Sequence, residues 1–163
     1  VLLNQMEIYY AETPVGNVRI ICNEDAVTQL EFIKNNFSGI PITIPKTLQC
    51  TFKENQLGKG SPLLPRGTEF QRMVWNALLN VPFGQTISYG EIAVLLGGKE
   101  KARAVGAAVG ANPVAILIPC HRALPANGKT GKYRWGADRK KSLLDWETAN
   151  NEESQFFSAF FRP

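Results

Sequence analysis

Residues 88–111 read SYGEIAVLLGGKEKARAVGAAVGA, and their punctuation decides how the chain is organised. Ser88 followed three residues later by Glu91 is a capping box, in which each side chain answers a backbone N–H that the first helical turn leaves unpaired. The apolar run behind it stops at Gly97-Gly98, so the spacing predicts a short helix through Leu96. Another helix is expected from about Lys99 to Ala111, closed by Asn112-Pro113. Two short helices across a glycine turn, the second basic at its start, read as a helix-turn-helix over about 88–111. Upstream, Thr68-x-x-Gln71 opens a further helix, with Phe70, Met73, Val74, Ala77 and Leu78 at helical spacing before Pro82.

The helix expected after the glycine turn has an unusual composition. Ala102, Gly106 and Gly110 fall at i, i+4 and i+8, and Ala104, Ala107 and Ala108 add little bulk. An ordinary helix is ~10–12 Å across with its side chains, whereas the minor groove of B-DNA is ~6 Å wide. Stripping the side chains favours entry into such a groove. Close packing against another helix is the alternative, and Arg103 on the same helix weighs toward DNA.

Toward the N-terminus the pattern changes from helical to alternating. Ile8 to Ile33 reads as a β-meander with turns at 13–17 and 23–25, which predicts a small antiparallel sheet. Residues 35–45 are turn-rich, and 47–57 suit either a short helix or a strand. Gly58 to Gly67, rich in glycine and proline, marks a boundary. The fold expected is therefore α+β in two parts: a small β-sheet domain over 1–65 and a helical domain with a winged-helix-like helix-turn-helix over 66–163.

Composition limits what such a chain does. With 163 residues, 44% of them apolar, it has material for a full core. Three cysteines, Cys22, Cys50 and Cys120, form no disulfide framework and no zinc-ligand spacing, so a reducing compartment and no metal are expected. The first residues show no basic stretch followed by an apolar run, and no segment approaches ~18 uninterrupted apolar residues, so neither export nor membrane insertion is expected. The net charge of +4 is uneven: residues 1–65 carry five basic and six acidic side chains, residues 66–163 thirteen and eight. A positive second half favours a polyanionic partner.

That second half also holds Ile118-Pro119-Cys120-His121-Arg122, with the sole histidine beside a cysteine. A free thiol, pKa ~8.5, is mostly protonated at neutral pH, so a nucleophilic cysteine needs an imidazole or a positive charge nearby. His121 and Arg122 offer both. Adjacent residues in a strand face opposite ways, so direct contact requires a turn, which Pro119 favours, or a bridging water. On these five residues alone, a buried structural cysteine remains an open alternative. The preceding Val114 to Ile118 is a continuous apolar run and is expected to be a buried strand. Downstream, Asp138 is expected to cap a helix whose inward positions are Leu143, Leu144 and Glu147. A carboxylate on an apolar face needs a partner, and His121 is the natural one, with its second ring nitrogen left to draw a proton from Cys120.

Taken together, Phe70-Gln71-x-x-Val74-Trp75, Pro82-x-Gly84-x-Thr86-x-Ser88-Tyr89, Arg103-Ala104-Val105-Gly106, Asn112-Pro113, Ile118 to Arg122, and Gly131-Lys132-Tyr133 through Leu143-Leu144 and Glu147 resemble the O6-alkylguanine-DNA alkyltransferases. The resemblance covers about 66–149. It implies direct reversal of DNA damage: a single-turnover transfer of an alkyl group, such as methyl, from O6 of guanine to Cys120, with O4-alkylthymine left open as a second substrate. No cofactor is implied. The partner would be double-stranded DNA carrying alkylated guanine, and the protein a cytoplasmic monomer, or nuclear in a eukaryote. Cys120, His121 and Glu147 would form the relay, and Asn112 would hold the turn. Tyr89, Tyr133 and Arg134 would contact the base. Tyr89, Gly90, Ala102, Arg103 and Gly106 would face DNA, with Arg103 filling the gap left by an extruded nucleotide. Arg134-Trp135 stand where some members have Ser-Gly, which narrows the pocket expected.

Rival classes fit less well. Alkyltransferase-like binders carry Trp in place of the cysteine. A plain helix-turn-helix regulator leaves the Cys-His-Glu set unexplained, no peptidase signature surrounds Cys120, and no glycine-rich nucleotide loop follows a strand.

Overall fold

The computed structural model describes residues 6–23, 26–34 and 63–150. These fall into two compact units: the described residues up to Arg66 together with Pro113–Leu117, and Gly67–Asn112 together with the described residues from Ile118 onward. The readings for 35–45 and 47–57, and Cys50, lie outside the described residues.

The first unit is the predicted meander. Strands β1 (Met6–Thr13), β2 (Gly16–Asn23) and β3 (Ala26–Phe32) pair antiparallel in the order β1-β2-β3. Period-two alternation puts Val18, Ile20 and Cys22 of β2 on the same buried side as Val27, Leu30 and Phe32 of β3. Between Ile21 and Cys22 the register with β3 shifts, and the Thr28 hydroxyl donates to the Ile21 carbonyl at 3.1 Å where the ladder is interrupted. Leu30 N–H donates to the Pro113 carbonyl at 3.0 Å, and Ala115 N–H donates back to the Leu30 carbonyl at 2.8 Å.

That pairing corrects the strand expected over Val114 to Ile118. All five residues are buried, but only Val114 makes a bridge, to Leu30. Beyond it the chain turns, with Leu117 N–H on the Ala115 carbonyl at 2.7 Å and Ile116 in the left-handed region at φ 70°. An unbroken apolar run reports burial on all sides and says nothing of backbone shape.

The second unit is helical. Helix α1 (Glu69–Leu79) opens on Thr68 with both bonds of the capping box in place: Gln71 N–H to the Thr68 hydroxyl at 3.2 Å, and Thr68 N–H to the Gln71 side-chain oxygen at 2.9 Å. It buries Val74, Trp75 and Leu78, while Met73 of the expected stripe is exposed. The Trp75 indole N–H donates to the Ala108 carbonyl at 2.9 Å. Gly67 lies so close to this ring that a Cβ there would fall 2.4 Å from it, so the approach of chain to indole requires glycine. Helix α2 (Tyr89–Leu95) carries the second capping box, Ser88 with Glu91. After Gly97-Gly98 a 3-10 turn over Lys99–Lys101 leads into α3 (Ala102–Gly110), completing the helix-turn-helix. Two-residue strands β4 (Ile87–Ser88) and β5 (Ala123–Leu124) pair in parallel.

Helix α4 (Ala137–Ala149) departs from expectation at its start. Its cap is Gly136, at φ 103°, with no side-chain capping bond. A positive φ suits glycine, so the helix is entered by backbone shape. Asp138 lies in the first turn, where its charge meets the positive end of the helix dipole. The buried face is Lys140, Leu143 and Glu147, with Leu144 only half-buried.

Candidate active site

Asn112 follows α3, is fully buried, and donates its side-chain N–H to the Ile118 carbonyl at 2.9 Å. This bond spans the turn before the cysteine and fixes where it emerges. Cys120 N–H closes onto the Ile118 carbonyl at 2.7 Å, and Cys120–Arg122 form a 3-10 turn in which all three side chains are buried. The turn that Pro119 favours is therefore present, and consecutive side chains diverge around it.

His121 Nε2 lies 2.6 Å from Glu147 Oε1. Against an ionised carboxylate such a contact is favourable only with hydrogen on Nε2, so the ring donates to Glu147. Its Nδ1 is buried and has no hydrogen-bond partner among the described residues. Burial lowers the His121 pKa; Glu147 opposes this, and the charges of Arg122 and Lys140 add to it. For Glu147, burial works against the ionised form, but the His121 hydrogen bond and the Arg122 guanidinium outweigh it and hold the pKa at about 2.

Arg122 was expected to assist the thiolate; the structure commits it to the carboxylate. Its Nε reaches Glu147 Oε2 at 3.0 Å and its Nη2 reaches Oε1 at 3.0 Å. Its Nη1 donates to the Val81 carbonyl at 2.6 Å, and the guanidinium carbon lies 5.5 Å from the centre of the Phe83 ring. Gly84 N–H completes the set, 3.1 Å from Glu147 Oε2. Two bonds from one guanidinium to one carboxylate fix distance and orientation together.

Around Cys120 the charges are sparser. Burial raises the thiol pKa, opposed by a hydrogen bond with Asn112, the positive charge of Lys140 and the Tyr133 hydroxyl. The resting sulfur is thus a protonated thiol. Lys140 Nζ is buried and donates to the Ala123 carbonyl at 2.6 Å. Burial lifts the Tyr133 pKa well above the ordinary tyrosine value, and negative charge at Cys120 adds to this. Tyr89 is raised the same way, by burial and then by Cys120.

A cavity of about 410 Å³ opens onto the thiol. Its lining is Tyr89, Gly106, Val109, Gly110, Cys120, Lys132, Tyr133 and Arg134. Arg134 lies 5.4 Å from the centre of the Trp135 ring and has Nη1 3.4 Å from the Asn112 carbonyl, while Tyr133 and Trp135 meet edge to face. Of the residues singled out from sequence, Cys120, Tyr89, Tyr133, Arg134 and Gly106 meet at this cavity, with His121, Glu147 and Asn112 buried beside the Cys120 turn. Gly90 and Ala102 instead line a second groove beside α2, and Arg103 is exposed on α3.

The small-residue face of α3 is rotated from the one expected. The exposed positions are Arg103, Ala104, Ala107 and Gly110, whereas Gly106 is half-buried, and a Cβ there would touch the Tyr89 ring at 3.6 Å. Sequence reasoning also missed Arg122 as the carboxylate's partner, Lys132 on the cavity wall and Lys140 in the interior. Lys140 had a signal: it shares the i, i+3, i+7 phase of Leu143 and Glu147. Among the described residues no group of three His, Cys, Asp or Glu side chains is placed to hold a metal ion, and no helix is long and apolar enough to cross a membrane.

Comparison with known proteins gives a consistent family. The profile described as the DNA-binding domain of 6-O-methylguanine DNA methyltransferase matches residues 69–149. A methylated-DNA--protein-cysteine methyltransferase of Methanosarcina acetivorans is 37% identical over 156 residues, covering 86% of this chain and 98% of the relative. The crystal structure of Mycobacterium tuberculosis O6-methylguanine methyltransferase superposes with a TM-score of 0.71 at 34% identity, covering 91% of this chain and 96% of that one. That of M. tuberculosis OGT in complex with DNA gives 0.69 at 35%, covering 87% and 92%.

Proposed function

Because the chain belongs to the 6-O-methylguanine DNA methyltransferase family, we propose that it repairs DNA by moving an alkyl group from O6 of guanine onto its own Cys120, once per molecule. The observation that carries this reading is a buried thiol on a 410 Å³ cavity, beside a His121–Glu147 pair whose free ring nitrogen is also buried. In the transfer, the sulfur attacks the alkyl carbon in line with its bond to O6; the S–C bond forms as the C–O bond breaks. The thiol proton passes to His121 Nδ1 through a bridging water, and Glu147 stabilises the imidazolium. Tyr133 keeps its proton at any physiological pH and is the donor toward the departing guanine oxygen. A thioether leaves no group to regenerate the thiol, so each molecule acts once.

A stacked base blocks the in-line approach, so the nucleotide must leave the duplex, at a cost of a few kcal/mol. Arg103, exposed on α3, fills the vacated space. Ala104, Ala107 and Gly110 on the exposed face of α3 bring its backbone close to the groove, with Gly90 and Ala102 beside them and Gly106 at the cavity, and Tyr89 presses on the phosphate beside the target. The DNA-binding and transfer domain is the unit made of Gly67–Asn112 and the described residues from Ile118 onward. The protein acts as a monomer, in the cytoplasm, where a thiol stays reduced. Narrowing by Arg134-Trp135 favours methyl over bulky groups.

The test is intact-protein mass after incubation with duplex containing O6-methylguanine, followed by peptide mapping. One methyl mass on Cys120, and none on Cys22 or Cys50, is expected. Repeated turnover, or a label elsewhere, overturns the reading.

A further inference from the structure

Glu147 is asked to accept a proton donor from His121 while buried, and a lone buried carboxylate has two ways to fail: it can take up a proton, or it can rotate away from the ring. Three groups prevent both. Gly84 N–H, from the loop after α1, holds Oε2, and Arg122 meets both oxygens through Nε and Nη2. Arg122 in turn is held, because Nη1 is tied to the Val81 carbonyl and the guanidinium carbon sits over the Phe83 ring. The guanidinium therefore belongs to a rigid frame built from three parts of the chain. Resting on the alkyl-transfer reading above, we propose that Arg122 is a positioning residue for the relay: by locking both oxygens of Glu147 it fixes the His121 ring with Nε2 donating and Nδ1 turned to receive the proton of Cys120.

The electrostatics agree with the geometry. Among the described residues, the charged groups acting on the imidazole are Glu147 and Lys140 from α4 and Arg122 from the turn itself. Two of these are cations. Together with burial they keep His121 neutral at rest, against the pull of Glu147, so the ring is an empty acceptor when substrate arrives. Remove the guanidinium and Glu147 is free to draw a proton onto His121, which fills Nδ1 in advance. A cation held on the carboxylate thus adds to burial in keeping neutral a ring that it does not touch through a hydrogen bond.

The chain's single histidine makes this directly readable. Nitrogen-15 spectra of the full chain report the tautomer and titration midpoint of His121 without assignment ambiguity. In the parent, Nε2–H neutral imidazole is expected through the range in which a free imidazole protonates. In Arg122→Gln the midpoint is expected to rise, the ring to populate both tautomers, and single-turnover methyl transfer at saturating duplex to slow ~10-fold or more, the scale on which lost outer-shell orienting contacts act. Arg122→Lys keeps a charge but not the fork, so its midpoint should lie between the two. A folded Arg122→Gln protein with the parent's tautomer, midpoint and transfer rate overturns the proposal. If Arg122→Gln does not fold, Arg122→Lys decides: identity with the parent overturns it. The parent's own methyl transfer to Cys120 is scored alongside. Its absence defeats the alkyl-transfer reading, whereas its presence with a histidine indifferent to Arg122 defeats only the positioning role.

Discussion

Along residues 120–122 every side chain is buried, and within reach of that turn lie a carboxylate, a guanidinium, an ammonium and an imidazole. Along the outward face of α3 the positions are 103, 104, 107 and 110, all exposed, and three of the four are alanine or glycine. The interior concentrates charge where solvent cannot screen it, so each interaction is strong and each orientation fixed. The exterior does the reverse: its side chains are short, and one cation stands among them. In the proposed function, chemistry and recognition fall to regions of opposite construction, which makes the proposal testable by substitution.

The sharpest cut between them is Cys120→Ser. Transfer should be lost entirely while affinity for alkylated duplex, measured by fluorescence anisotropy, stays at the parent value. Loss of binding would mean that the interior also serves recognition. The opposite cut is Arg103→Ala. Flipping costs a few kcal/mol, and giving up ~1.4 kcal/mol of that support slows repair ~10-fold. Single-turnover rates at saturating, well-paired duplex should show that loss, and placing an abasic site opposite the target should largely restore the rate. A parent rate at saturation would reduce Arg103 to a phosphate contact, visible instead as a salt slope lower by ~1.

The interior predicts its own pH signature. His121 has a folded-state pKa below its ordinary 6.5, so the unfolded chain takes up this proton first; stability from the neutral ring is complete above about pH 6.5 and declines on acidification. Glu147 is lowered from 4.5 to about 2, so its contribution is present above about pH 4.5 and is lost as pH falls toward 2. Urea midpoints across pH 7 to 3 should fall in this order. In Glu147→Gln the lower component should shrink, leaving that of Glu91, whose pKa is also lowered by its bonds with Ser88. A flat profile would mean the cluster adds nothing to the folded state.

The smallest effect concerns Gly110. A Cβ there meets nothing within 4 Å, so Gly110→Ala should raise stability by up to ~1 kcal/mol through helix propensity. If this face is bare in order to approach DNA, the same methyl should weaken duplex binding. Unchanged affinity would remove residue 110 from the contact surface.

What the sequence made legible follows from how local each signal is. Both capping boxes, Thr68 with Gln71 and Ser88 with Glu91, were readable because three residues suffice to define them. The meander was readable from alternation. Helix α4 was placed correctly but not its start, since the device is a backbone angle at Gly136 and not a side-chain bond. The 114–118 run failed as a strand because burial and extension leave the same trace. The His121–Glu147 contact was legible from phase and the need for a partner. Arg122 was not: its partners come from Val81, Phe83, Gly84 and Glu147, up to 41 residues away along the chain, and adjacency to Cys120 suggested a different use.

The Trp75 indole has a mechanical meaning. By donating to the Ala108 carbonyl from inside the unit, it pins the last turns of α3 to α1 at a point where leaving the donor unsatisfied costs ~1–3 kcal/mol. Opening a duplex calls for a comparable free energy. A recognition helix that yielded to the load would share the deformation with the nucleic acid; one anchored in this way behaves as an anvil. In the proposed complex, then, compliance belongs to the DNA, and a site already weakened in stacking or pairing gives way first.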